Sequence, residues 1–153
     1  MSMLDIIHCY KNPIERAIAI ASEAHAGQVD KQGCPYILHL LRVMAAGTTD
    51  EERIVGVLHD VLEDTDYTDE DLFHLGFTLE IVRAVVALTH TRWQSNDEYY
   101  AQVKSNPLAL AVKRHDVDDN YNRLGEVRDL AVRQRLKDKY EYARKVLFGE
   151  WNE

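Results

Sequence analysis

The sequence predicts an all-α protein, a single compact domain over residues 1–153 with about seven to eight helices. Three observations lead there. Apolar residues recur at spacings of three and four along most of the chain. An asparagine followed by proline, which favours a helix start, occurs at Asn12-Pro13 and again at Asn106-Pro107. No stretch alternates apolar and polar residues as a half-buried strand would, and no repeat, linker or low-complexity segment interrupts the pattern.

The elements follow in order. A first helix spans about 12–26, with Ile14, Ala17, Ile18 and Ala21 on one face and Gly27 as its stop. Residues 27–36, GQVDKQGCPY, carry two glycines and a proline and read as a loop. A helix from Ile37 to Ala46 ends at Gly47, with His39 in its first turn. The next, about 50–64, is the central one. Its residues Ile54, Val57, Leu58, Val61 and Leu62 make an apolar stripe, and His59, Asp60, Glu63 and Asp64 fall on the other side. On a continuous helix His59 lies over Glu63 and Asp60 over Asp64, so two carboxylates repel unless a cation or proton sits between them. Gly56 lies one turn earlier. A mid-helix glycine costs roughly 1 kcal/mol against alanine, which points to a close approach there.

Thr68 with Asp71 forms a capping box for a short helix ending near Gly76. Thr78 opens another, with Ile81, Val82, Val85, Val86 and Leu88. Residues 91–96 are a polar connection and Asp97–Ser105 is helical. Asn106-Pro107 opens a helix with Leu108, Leu110, Ala111 and Val112 that runs into RHDVDDN. Gly125 breaks the chain, and about 128–148 forms the last helix.

Composition sets limits on function. The 153 residues are 46% hydrophobic and 29% charged, an ordinary globular mix. No apolar run approaches the ~20 residues that span a bilayer, and the N-terminal residues lack the pattern of a signal peptide. The two cysteines, Cys9 and Cys34, have no metal or redox spacing. A cytoplasmic protein without membrane contact is expected. A net charge of −8 argues against a nucleic-acid backbone as partner. It leaves room for an anionic small molecule, because a bound divalent cation reverses the local sign where a phosphate docks. Homo-oligomerisation is compatible with the sequence.

A divalent metal takes a few nitrogen and oxygen ligands and keeps a position for water. Spacing alone nominates two His-Asp dipeptides, His59-Asp60 and His115-Asp116. The compound pattern is more specific. The segments AHAGQVDKQGCPYILH, VLHDVLEDT and VKRHDVDDN, with an intervening A-L-T, resemble in order and spacing the HD-domain metal-dependent phosphohydrolases. More narrowly they resemble the small alarmone hydrolases and the hydrolase domain of RelA/SpoT-type proteins, from about Ala17 to Leu147. The resemblance implies His39, His59, Asp60 and Asp116 as metal ligands and manganese as the cation. It implies Glu63 and Asp64 as the catalytic acidic pair and Asn120, Lys31 and Arg135 as substrate contacts. His115 is then packing or support, since side chains one apart on a helix diverge by about 100°. His25 either lines the pocket or caps a helix end. Tyr36 either stacks on a base or seals the core.

Two departures from that pattern stand out. Val29 and Asp30 precede Lys31 where relatives carry basic residues, and HDVDDN is more acidic than the usual late motif. The resemblance therefore implies a guanosine-3′,5′-bis(diphosphate) 3′-pyrophosphohydrolase working through an activated water. The departures leave two alternatives, the same chemistry on another nucleotide or a non-catalytic nucleotide-binding module.

Overall fold

The computed structural model describes residues 2–150. Among them are ten α-helices and one 3₁₀ turn, and the only β pairing is an isolated bridge between Val29 and Pro35. The helices are α1 (Met3–His8), α2 (Pro13–Ala24), α3 (Ile37–Ala46), α4 (Asp50–Leu58), α5 (Val61–Asp64), α6 (Asp69–His74), α7 (Leu79–Ala87), α8 (Asn96–Lys104), α9 (Pro107–Asn122) and α10 (Leu130–Phe148). None is long and apolar enough to cross a membrane. The eight expected helices are present. The two additional ones are α1, and a division of the central helix into α4 and α5.

Local chemistry accounts for most of the boundaries. The Asn12 carboxamide accepts from the Ile14 and Glu15 amides, and Asn106 accepts from Ala109, with proline next in both cases. The Thr68–Asp71 capping box forms as expected. The same device, unremarked in the sequence reading, starts α4 at Thr49 and Glu52 and α8 at Ser95 and Glu98. It also starts α1, through Ser2 and Asp5. Six residues carry too little periodicity to be recognised as a helix, yet α1 buries Ile7 in the core.

The C-terminal half of α4 is enclosed on all sides. Ile54, Val55, Gly56, Val57 and Leu58 are all buried, because α2, α3, α7 and α9 pack around it. An amphipathic stripe therefore understates its burial. Gly56 is the point of closest approach. A Cβ there would meet the Met44 N and Cα at 3.2 Å and the Val43 carbonyl carbon at 3.3 Å, all backbone atoms of α3. Gly56→Ala gains about 1 kcal/mol of helix propensity but forces two helix backbones apart, at about 1–3 kcal/mol. A lowered melting temperature is expected. Because α3 carries His39 and α4 leads into His59, weaker metal binding should accompany it. A variant more stable than the parent in thermal denaturation would contradict the close approach.

The helix predicted over 50–64 is broken at its functional residues. It ends at Leu58. His59 and Asp60 form a turn, with Asp60 at φ −103°, ψ 1°, before α5 takes up the last turn. That bridge conformation is sparsely populated and frequent at active sites. One helical bond survives, from the Asp64 amide to the Asp60 carbonyl at 3.0 Å. His59 does not stack over Glu63 as a continuous helix would have it, and instead meets His39 and Asp116.

Candidate metal centre and its two cavities

Three elements converge on one point. The first turn of α3 supplies His39, the α4–α5 turn supplies His59 and Asp60, and α9 supplies Asp116. His39 Nε2 lies 3.0 Å from Asp116 Oδ1. His59 Nε2 lies 3.1 Å from Asp60 Oδ2 and 3.4 Å from Asp116 Oδ1. His39, His59 and Asp116 are buried, and the Asp60 side chain is nearly so.

The donor set fits a divalent cation. His59 Nδ1 donates to the Gly56 carbonyl at 2.6 Å, which leaves Nε2 with its lone pair. That nitrogen is buried and has no hydrogen-bond partner, although carboxylate oxygens stand within ion-pair distance. Ligands gathered around a shared point, rather than bonded to one another, have this arrangement. Two imidazole nitrogens and two carboxylates make a mixed set suited to manganese, iron, zinc or nickel. His39, His59 and Asp60 each place a ligand atom within 4.8 Å of the others, as do Asp60, Glu63 and Asp64. Asp60 belongs to both groups.

Around these ligands stand supports that the sequence did not assign as such: Arg42, Lys113 and Asp119 carried no expectation, and Asn120 and Tyr36 carried others. His39 Nδ1 donates to Asp119 Oδ2 at 2.7 Å, and Arg42 clamps Asp119 through Nε at 2.7 Å. This carboxylate–imidazole pair orients the ring and raises its basicity. Lys113 Nζ holds Asp116 Oδ2 at 2.9 Å, and Asn120 Nδ2 donates to Asp116 Oδ1 at 3.1 Å. The Tyr36 hydroxyl donates to Asp60 Oδ2. The signal was available: Lys113, Asp116, Asp119 and Asn120 recur at helical spacing on one face of α9.

Burial alone would push both imidazoles down, yet both lie above their ordinary range. Asp116 and Asp119 raise His39, and Asp60 and Asp116 raise His59. Burial would raise the carboxyls, but Lys113 and His59 hold Asp116 far down and His59 holds Asp60 near 2. In the metal-free protein the stability from these imidazoles is present below their ordinary pKa. It is lost as pH rises through the elevated folded values. A metal must displace those protons. Its stabilisation, about 2.7 kcal/mol at a hundredfold excess over Kd, should therefore be larger at pH 8 than at pH 6. Thermal denaturation with and without chelator measures this, and equal increments at both pH values would contradict proton release from the rings.

Glu63 and Asp64 stand beside the centre, open to solvent on one side and partly enclosed at the carboxyl. Burial of the carboxyl and the neighbouring Asp60 charge raise both above the ordinary range. Glu63 Oε1 accepts the His90 backbone amide at 2.6 Å, and the residue lines the smaller of the two cavities at this centre. The A-L-T segment positions that amide. Its carbonyls are held from α8, Leu88 by the Tyr99 hydroxyl at 3.0 Å and Ala87 by Gln102 Nε2 at 2.9 Å.

Two cavities meet here. The larger, 330 Å³, is lined by Lys31, Tyr36, His39, Asn120, Arg123 and Tyr140 among others. The smaller, 150 Å³, is lined by Asp60, Glu63, Asp116, Lys113 and Lys139, and shares Tyr36, Asn120 and Tyr140 with the first. Lys31 and Asn120, the expected substrate contacts, line the larger cavity. Arg135 is not brought to the site: it is exposed and lines neither cavity, whereas Leu136, Lys139 and Tyr140 of the same helix do. The 3.6-residue period puts Leu136, Lys139 and Tyr140 on the inward face and turns Arg135 away. His115 lines neither cavity and lies within electrostatic reach of Glu52. His25 is buried, bonds Gln28 through Nδ1 at 2.9 Å and packs its ring 5.4 Å from that of Tyr36, so it supports the cavity wall.

Asp30 proves to be compensated. Its Oδ1 accepts the Gln32 and Cys34 amides at 2.9 Å, shaping the loop, and its Oδ2 meets Arg123 at 2.9 Å. The acidic residue therefore brings its own counter-charge and does not present a free carboxylate to a ligand.

No protein-family model matches the chain. The guanosine-3′,5′-bis(diphosphate) 3′-pyrophosphohydrolase of Vibrio cholerae is 32% identical over 129 residues, 75% of this chain and 18% of that protein. That of Aquifex aeolicus is 30% identical over 139 residues, 84% of this chain and 20% of that protein. The chain thus spans about a fifth of the length of these relatives. A solved structure, of a metazoan ortholog of SpoT that hydrolyses ppGpp, superposes with a TM-score of 0.72 at 25% identity and covers 90% of this chain and 85% of its own. In sequence and in fold, the chain is a relative of the SpoT-type guanosine-3′,5′-bis(diphosphate) 3′-pyrophosphohydrolases, and the resemblance read from its HD motifs stands.

Proposed function

We propose that the chain works as one domain, a cytoplasmic metal-dependent phosphohydrolase that removes pyrophosphate from the 3′ side of guanosine-3′,5′-bis(diphosphate), with manganese as its cation. The observation that carries this is the convergence of His39, His59, Asp60 and Asp116 on one point, with Glu63 and Asp64 beside it. The named activities of the relatives supply the substrate.

When bound, the metal supplies Lewis acidity to the phosphate and a more acidic water. The chain's own residues do the rest. Tyr36, Lys31 and Asn120 hold the nucleotide in the larger cavity, with the Lys31 ammonium as a point charge for phosphate. Glu63 and Asp64 orient the attacking water and take up its proton, a task suited to carboxyls raised toward working pH. The water oxygen bonds to the phosphorus attached to the 3′ oxygen. The bond from that phosphorus to the 3′ oxygen breaks, the 3′ oxygen takes a proton, and GDP and pyrophosphate result.

The test is incubation with manganese and guanosine tetraphosphate, following GDP and pyrophosphate by ion-exchange chromatography, with Glu63→Ala alongside. Metal-dependent GDP release that vanishes in the variant supports the reading. Bound manganese without product removes this substrate. The second reading, the same chemistry on another nucleotide, draws on the altered Asp30–Arg123 corner of the larger cavity, and a nucleotide panel separates the two. Tight nucleotide binding with no product from any of the panel would leave the non-catalytic module.

A further inference from the structure

His25 and Gln28, the two ends of the H-x-G-Q segment, take no part in the reaction above. His25 is 2% exposed, and its Nε2 is buried without a hydrogen-bond partner. An apolar side chain would fill that space without the cost of an orphaned ring nitrogen. The ring makes one hydrogen bond, from Nδ1 to the Gln28 carboxamide oxygen at 2.9 Å. That bond fixes which end of the carboxamide faces His25, and it turns the NH2 group the other way. There Gln28 Nε2 donates to the Asp64 backbone carbonyl at 3.3 Å. Gln28 is anchored in turn. Its amide donates to the His25 carbonyl at 3.0 Å, and its carbonyl accepts the Tyr36 amide at 2.9 Å.

The Asp64 carbonyl matters because α5 is a single turn. One turn is not stable alone, and its last carbonyls lack helical partners. Thr65 Oγ1 takes the Val61 carbonyl at 2.5 Å, and Gln28 takes that of Asp64. Glu63 has a second hold, through the His90 amide. The Asp64 carboxylate accepts no hydrogen bond among the described residues, so the place of that side chain depends on its backbone.

We infer that Gln28 is a positioning residue for Asp64, and that buried His25 acts by orienting the Gln28 carboxamide. The inference rests on the phosphohydrolase reading above, in which Asp64 belongs to the acidic pair. It joins the end of α2 to the end of α5 through one side chain, and it accounts for a polar ring in an enclosed place where an apolar one would cost less.

Three variants of the full chain test this. His25→Leu fills the space and removes the donor. His25→Asn keeps an N–H close to the Nδ1 position. Gln28→Glu keeps the shape and the acceptor for His25 but sets an ionised oxygen against the Asp64 carbonyl. With manganese and guanosine tetraphosphate, kcat should fall about 10–100-fold in His25→Leu and Gln28→Glu, as misplacement of a reacting group does. KM and manganese affinity should stay near wild type, and His25→Asn should recover most of the loss. In an Asp64→Asn background, His25→Leu should cost no more than about twofold further, since groups acting as one are not additive. Hydrogen exchange of the amides of residues 61–66, followed by mass spectrometry, needs no substrate. It should quicken in His25→Leu and Gln28→Glu and not in His25→Asn. Gln28 is only half-buried, so Gln28→Glu remains a test if His25→Leu does not fold. Unchanged exchange, an equal loss of kcat with and without the Asp64 carboxylate, or loss of manganese in step with activity would each overturn the inference. Faster exchange in a chain that hydrolyses no guanosine tetraphosphate would keep the link from His25 to Asp64 and lose the proposed substrate. Hydrolysis with unchanged exchange would do the reverse.

Discussion

Asp60→Ala is expected to abolish metal binding and turnover together. Asp60 is the carboxylate common to both ligand groups: it stands 3.1 Å from His59 Nε2 and within ligand reach of Glu63 and Asp64. Its removal takes away one of the four proposed metal ligands. It also leaves His59 buried with one fewer counter-charge and the Tyr36 hydroxyl without its acceptor. Loss of an outer-shell partner costs roughly 10–100-fold in metal affinity, and a direct ligand should cost more. Manganese binding measured by calorimetry and GDP release measured by chromatography should both vanish. Wild-type-like turnover in Asp60→Ala would end the assignment of this centre.

Glu63→Gln separates metal binding from chemistry. The glutamine keeps an oxygen for the His90 amide, so the loop after α7 stays in place, while the base is gone. A general base is worth about 10²–10⁴ in rate, so kcat should fall by that amount with manganese affinity intact. The pH profile gives a second readout. Glu63 acts ionised, and burial and Asp60 raise its pKa. Activity should therefore fall as pH drops through a value above the ordinary carboxylate range, and that acid limb should be missing in the variant's residual rate. A variant that loses manganese in step with activity would make Glu63 a ligand rather than the base.

The capping residues and the apolar period of the helices are local signals, and they are legible because each depends on neighbours within four positions. Asn12-Pro13, Asn106-Pro107 and the Thr68–Asp71 box mark three helix starts without any tertiary information. The α1 helix escaped because it is too short for a period to register. Asp30 misled for a related reason: its sign is local, but the Arg123 that neutralises it lies 93 residues away.

The sequence by itself determined the all-α class and the order of the helices, and its motifs nominated His39, His59, Asp60 and Asp116 as candidate ligands, since motif spacing and helical periodicity are properties of the chain alone. The tertiary structure decided what those residues do to one another. The helix breaks at His59 and Asp60, where the turn brings His59 to His39 and Asp116 from other helices. Asp119 finds His39 across 80 residues, and Lys139 rather than Arg135 reaches the site because packing sets which face of α10 turns inward. These outcomes depend on distances between elements, which helix packing establishes and no periodicity along a single chain encodes.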